Sequence, residues 1–267
     1  MSDWELEKQA RDAVAEAIGN HTVAIDVSRA TEEKPSWGTG TFISIKGKFF
    51  IVTCRHVVKP QYKSEDLRFL YKLGKSFQWV DKKVITKSSL YEIERIMDKR
   101  FPEEIHISNR IYSDDTDDLA LLEVDLLVEK MGSYRFFEIK NLDEKTPEVS
   151  TQVYLIGFSA ELARPVTAKG DIGIFAFYGV TSIIDKEIDS YEYDPRRHFL
   201  IDFRTIDNSH SVDPSGLSGC GVWARIASGK DRLWTPNIYL VGVQQSYFKG
   251  SQVLKATRIE RLIELAK

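Results

Sequence analysis

Ser218 lies in the segment SVDPSGLSGCGVW, Ser211–Trp223, among Gly216, Gly219 and Gly221. A serine nucleophile needs a base within hydrogen-bond reach and backbone N–H groups aimed at the oxyanion it creates. Glycines let a chain turn tightly enough to present both. A plain glycine-rich turn between strands has the same composition, so the segment gains meaning only from its partners. FFIVTCRHVV puts His56 just after an apolar run, and DDTDDLALLEV puts Asp118 just before another. Either residue alone is ordinary in a structural role. Together with Ser218 they supply a base, an orienting carboxylate and a nucleophile.

Chain order narrows the chemistry. The five histidines, His21, His56, His106, His198 and His210, all precede Ser218. An α/β-hydrolase, in which the serine comes first and the histidine last, is therefore excluded for this nucleophile. The order His56, Asp118, Ser218 is that of chymotrypsin. Cys54 stands close to His56 in sequence, but adjacency does not give the geometry of a cysteine nucleophile and its base. Cys54, His56, His198, His210 and Cys220 lack the close paired spacings of a structural zinc site, so neither metal nor cofactor is expected.

These residues need a rigid scaffold. From Thr22 onward the chain runs through short apolar stretches, TVAIDV, TGTFISI, KFFIVT, LALLEV, QVYLIGF, GIFAFYGV, HFLIDF and IYLVGVQQ, separated by Gly, Lys and Asp turns. The expectation is a predominantly β protein without a solenoid or propeller repeat. Before these strands, Leu6, Ala10, Ala13, Val14 and Ala17 fall at helical spacing and Gly19-Asn20 supply a stop, which predicts an amphipathic helix. It is read as packed on the domain, with a partner-binding arm as the alternative. SSLYEIERIMDKRF, Ser89–Phe101 with its preceding serine, has a helical apolar face, and TRIERLIELAK predicts a closing helix. Ser182–Phe199 reads as a charged, aromatic loop.

The 267 residues suffice for one large domain or two compact halves with real cores. Lys plus Arg number 37 against 40 Asp plus Glu, so no global field attracts nucleic acid or an anionic membrane. There is neither a secretory leader pattern nor an apolar run of membrane-spanning length. The two cysteines cannot form a disulfide framework, and a reducing cytoplasm is expected.

On these motifs the chain resembles the trypsin-like serine peptidases of the chymotrypsin clan, nearer to cysteine-poor intracellular and HtrA-type members than to secreted ones. GTGTFISIKGKFFIVTCRHVV is similar to the strand pair leading to the catalytic histidine, DDLALLEV to the aspartate strand, GLSGCGVW to the Gly-x-Ser-Gly-Gly-Pro segment, and LVGVQQSY to the following cleft strand. The resemblance implies an all-β fold of two perpendicular six-stranded β-barrels. They would span 21–140, with His56 and Asp118, and 141–256, with Ser218, between a helix over 1–20 and another over 257–267.

It also implies a Ser218–His56–Asp118 triad, an oxyanion hole from the N–H groups of Gly216 and Ser218, and substrate contacts from Val212, Asp213, Val243 and Gln244. Val212 at the pocket-floor position does not support a Lys or Arg preference, and a small or apolar side chain is expected. Cys220 and Gly221 depart from the family's Gly-Pro, and the former is compatible with the turn if its φ is negative. Leu217 replaces the Asp that pairs with a newly cut N-terminus in secreted zymogens, so control by loop ordering or an activating protein partner is expected. The resemblance implies an endopeptidase acting on a protein substrate; the alternative is a catalytically silent binding or sensor module in a stress or defence system. No PDZ-like domain is expected after the peptidase.

Overall fold

The structure, a computed structural model, describes residues 3–27, 37–71, 105, 107–124, 135–139, 147–158, 164–165, 172–173, 176–186, 188, 193–204, 213–225 and 238–267. Helix α1 (Asp3–Asn20) leads into a first sheet made of β1 (Thr22–Asp26), β2 (Trp37–Ile45), β3 (Lys48–Cys54), β4 (Arg68–Tyr71), β5 (Ile107–Tyr112), β6 (Leu119–Val124) and the short β7 (Phe137–Glu138). Its order is β4-β1-β2-β3-β6-β5, antiparallel throughout, with β7 added parallel to β2. The β2–β3 hairpin turns on Lys46-Gly47, both at positive φ, as a two-residue type I′ turn requires.

The second half contains β8 (Gln152–Phe158), a two-residue pair β9 (Arg164–Pro165) and β10 (Ile172–Gly173), then β11 (Ala176–Ile184), β12 (His198–Asp202), β13 (Gly221–Arg225), β14 (Ile238–Phe248) and β15 (Val253–Arg258). Six of these close into a barrel in the order β11-β12-β15-β14-β13-β8. Helix α2 (Ile259–Leu265) ends the chain. The all-β expectation holds and the second barrel is closed. Among the described residues the first sheet is open between β4 and β5, the two strands that flank the Ser89–Phe101 segment. That segment lies outside the described residues.

Each half has its own core. Val23, Phe42, Ile51 and Leu122 pack in the first; Leu155, Phe199, Leu217 and Leu254 pack inside the barrel. A third cluster joins Val14, Ala15 and Ile18 of α1 to Ile43, Tyr154, Trp223 and Leu262. The N-terminal helix is thus a core element through its last turns. Its buried face is Val14, Ala15 and Ile18, whereas Ala13, expected on that face, is exposed. His21 stacks on Trp223 with ring centroids 5.6 Å apart, and Phe137 meets Trp223 edge-on at 4.9 Å, so aromatic contacts span both halves.

Candidate active site

His56 follows β3 at the rim of the first sheet, with a half-exposed side chain. Its Nδ1 lies 2.5 Å from Asp118 Oδ2, and its backbone N–H donates to Asp118 Oδ1 at 3.0 Å. One carboxylate therefore holds both ring and main chain. Asp118 sits just before β6 at φ 48°, a left-handed conformation uncommon outside glycine, which Asp and Asn tolerate best. Its backbone closes a turn onto Asp114 O at 3.0 Å, and its carbonyl accepts from Arg55 N–H at 2.8 Å.

The Ser218 segment is two successive tight turns. Leu217 N–H donates to Pro214 O and Cys220 N–H to Leu217 O, both at 2.9 Å. In each, the third residue is a glycine, Gly216 or Gly219, at φ 93°, as a type II turn demands. This is the structural reason for glycines three apart around the serine. At Gly219 a Cβ would also lie 2.1 Å from Thr39 O. The carbonyls of Gly216 and Ser218 are tied to Thr39 of β2, through its Oγ1 at 2.8 Å and its N–H at 2.9 Å. With Leu217 O turned inward, the trans peptide turns Ser218 N–H outward. Among the described residues the N–H groups of Gly216 and Ser218 donate no hydrogen bond.

The Ser218 hydroxyl donates to Gln245 O at 3.3 Å and not to His56. Gln245 is the extra residue of a β-bulge in β14, between Gln244, paired with Ala256, and Ser246, paired with Lys255. Its amide reaches Thr116 O at 3.2 Å, so the bulge touches both the nucleophile turn and the Asp118 loop. Gln244 O accepts from Gly219 N–H at 2.8 Å and from the Cys54 thiol at 3.2 Å. This carbonyl links the serine turn to β3, the strand that leads to His56.

Residues 38–225 match the family described as trypsin-like peptidase domain. The chain belongs to this family. Among solved structures it is similar to a serine endoprotease from Yersinia pestis (TM-score 0.55, 14% identity), covering 95% of this chain and 64% of that one. It is also similar to a protease from M. tuberculosis in its active form (TM-score 0.52, 15% identity), covering 96% of this chain and 84% of that one. The chain thus spans less than two thirds of the Yersinia protein. At these identities the likeness is one of fold, and it is the trypsin-like all-β fold. No curated protein sequence matches the chain.

Within this trypsin-like frame, Cys220 lies outside the left-handed region, so its side chain meets no backbone penalty. Leu217 is fully buried in the barrel core, an apolar anchor where the secreted zymogens use an ion pair. Asp213 is exposed, but its carboxylate bonds Ser215 N–H at 2.8 Å and Ser215 Oγ at 2.5 Å and so caps the turn. Val212 lies outside the described residues. Val243 is buried in the core between the halves and Gln244 is 1% exposed, its amide folded back on Ser246 O. These two side chains do not line a cleft; the bulge makes their neighbour Gln245 the residue that meets Ser218.

Three further side chains brace the Asp118 loop. His198 is buried, its Nδ1 accepting from Asp194 N–H and its Nε2 donating to Thr116 O, both at 3.0 Å. Burial, followed by the nearby Lys255 charge, holds its pKa down to about 4. Arg261 of α2 and Arg197 both pair with the buried Asp117, at 2.8 and 3.5 Å. Cys54 Sγ lies within 4.8 Å of the ligand atoms of His56 and Asp118. An ion there would have to break the Nδ1–Oδ2 bond and ionise a thiol whose pKa burial, then the Asp118 charge, raise well above normal.

Proposed function

We propose that this trypsin-like peptidase is a serine endopeptidase acting on protein substrates. In the first step Ser218 Oγ bonds to the scissile carbonyl carbon while its proton passes to His56 Nε2. The tetrahedral oxyanion rests on the N–H groups of Gly216 and Ser218. The C–N bond then breaks and the amine leaves with the proton held by His56. Water repeats the sequence on the acyl-enzyme and frees Ser218. Asp118 holds Nδ1–H, so that Nε2 faces the serine, and stabilises the imidazolium that forms. The observation that carries this reading is the double hydrogen bond from Asp118 to the ring and main chain of His56.

A second reading is favoured by the Ser218 hydroxyl, which bonds Gln245 O instead of His56. In it the chain is a silent protease-fold module whose triad does not assemble. A long nucleophile–base contact is common without substrate, and a rotation of the Ser218 side chain would reorient the hydroxyl, so the endopeptidase reading is preferred. Control through loop ordering or a protein partner accords with Leu217 in place of a zymogen aspartate. The two free, buried cysteines accord with a reducing cytoplasm. The test is hydrolysis of an unfolded, dye-labelled protein. The expected result is turnover by the native chain and a loss of about 10³-fold or more in Ser218→Ala. Equal turnover by both proteins would refute the mechanism.

A further inference from the structure

Lys255 is among the largest fully buried side chains, at 1% exposure, and no step above uses it. A lysine this deeply buried is uncommon even when paired, and this one lies on the strand beside the one that carries the Ser218 hydroxyl's acceptor. It sits on β15 directly opposite Ser246 of β14, the residue after the bulge whose carbonyl takes the Ser218 hydroxyl. Residues opposite each other in an antiparallel pair share a face with Cβ atoms about 5 Å apart. Two positions along β15, Thr257 Oγ1 bonds Asp117 O at 2.9 Å, so this strand runs beneath the Asp118 loop as well.

The charge is felt there: it lowers the pKa of His198, after burial, and pulls that of Cys54 downward against burial. The Ser246 hydroxyl is buried without a hydrogen-bond partner among the described residues. Beside it the serine turn is laid along the same strand, with Gly219 N–H on Gln244 O and Gln244 N–H on Cys220 O. When the scissile carbonyl oxygen sits on the N–H groups of Gly216 and Ser218 and the leaving amine lies by His56, the acyl residue has the Gln245–Ser246 stretch of β14 left to lie against. On β15 the residue directly opposite Ser246 is Lys255.

We propose that Ser246 and Lys255 form the floor of the primary specificity pocket and select a substrate with an acidic side chain, Asp or Glu, at the residue whose carbonyl is attacked. The hydroxyl donates one hydrogen bond to the carboxylate and the ammonium adds a charged one. An ammonium has three donors, so a substrate carboxylate can share it with Lys255's existing interactions. This replaces the small or apolar preference expected from the residues before Ser218. It also fits Asp213, whose carboxylate is engaged in capping the turn.

The proposal rests on the endopeptidase reading, and the test separates the two. Purified full-length chain is treated with a simple alkyl fluorophosphonate and, in parallel, with peptidyl diphenyl phosphonates bearing Glu, Val or Lys analogues at the phosphorus-bearing residue. Each phosphonate reacts by loss of phenoxide to the Ser218 oxygen. The expected result is labelling by the Glu phosphonate about ten- to a hundredfold faster than by the Val or Lys ones. Lys255→Met should lose that selectivity and Lys255→Arg keep most of it, both still reacting with the fluorophosphonate as proof of a folded site. Fluorophosphonate labelling without preference for the Glu probe, or a preference that survives Lys255→Met, would overturn the pocket and leave the endopeptidase reading intact. No labelling by any probe would overturn both.

Discussion

Asp118 spends a left-handed backbone conformation to aim one carboxylate at two donors of His56. The strain is tolerated because the flanking hydrogen bonds, from Asp118 N–H to Asp114 O and from Arg55 N–H to Asp118 O, leave the residue no other path. Asn tolerates the same conformation, so Asp118→Asn should fold normally while stabilising the wrong imidazole tautomer. Its kcat is expected to fall by about 10⁴-fold with little change in KM, measured on a peptide ester. Thermal unfolding should be nearly unchanged, which separates the electrostatic loss from a folding defect. The pairing of His56 with Asp118 and the glycine turn around Ser218 could be anticipated from residue type and chain order. The left-handed φ of Asp118 could not, because nothing in DDTDDLALLEV distinguishes it from Asp114, Asp115 and Asp117.

At the scale of elements, the Asp118 loop is held by the other half of the molecule. Thr116 O takes bonds from His198 and Gln245, and Asp117 takes Arg261 and Arg197. His198 works in this brace as a neutral ring, since its Nδ1 accepts from Asp194 N–H. With a folded pKa of about 4 against an ordinary 6.5, the unfolded chain binds a proton first as pH falls. Stability should therefore be full above pH 6.5, decline between about pH 6.5 and 4, and stop falling on this account below that. Urea unfolding across this range checks it: His198→Gln should have a flatter profile, and an equally steep one would remove His198 as the cause. The sequence did not announce this brace. His198 opens a strand like any other residue of HFLIDF, and it meets Thr116 only because barrel closure brings β12 beside β15. The bulge at Gln245 was equally hidden. Nothing in VGVQQSY marks the extra residue, and the side chains of Val243 and Gln244, expected at the cleft, are buried.

Across the whole molecule, the two halves share the core cluster that contains the last turns of α1 and the apolar face of α2. The N-terminal helix therefore belongs, through its last turns, to the folded unit. Chain cut before His21 should lose the burial of Val14, Ala15 and Ile18 and unfold at a markedly lower temperature, without a gain in activity. Activation on trimming would contradict both this packing and the role of Leu217 as an apolar anchor. Strand-rich texture made the fold class readable from sequence, because alternating β-branched and aromatic runs between turns leave few alternatives. The helical stripe was readable as a helix but not in its orientation, since three alanines carry too little apolar area to fix a face.

The central claim is that Ser218, His56 and Asp118 act as one unit. The most direct test is reaction with a fluorophosphonate followed by peptide mass mapping. The account predicts a single adduct at Ser218 that is lost in His56→Ala while the variant remains folded. An adduct at another residue, or none on the folded native chain, would contradict it.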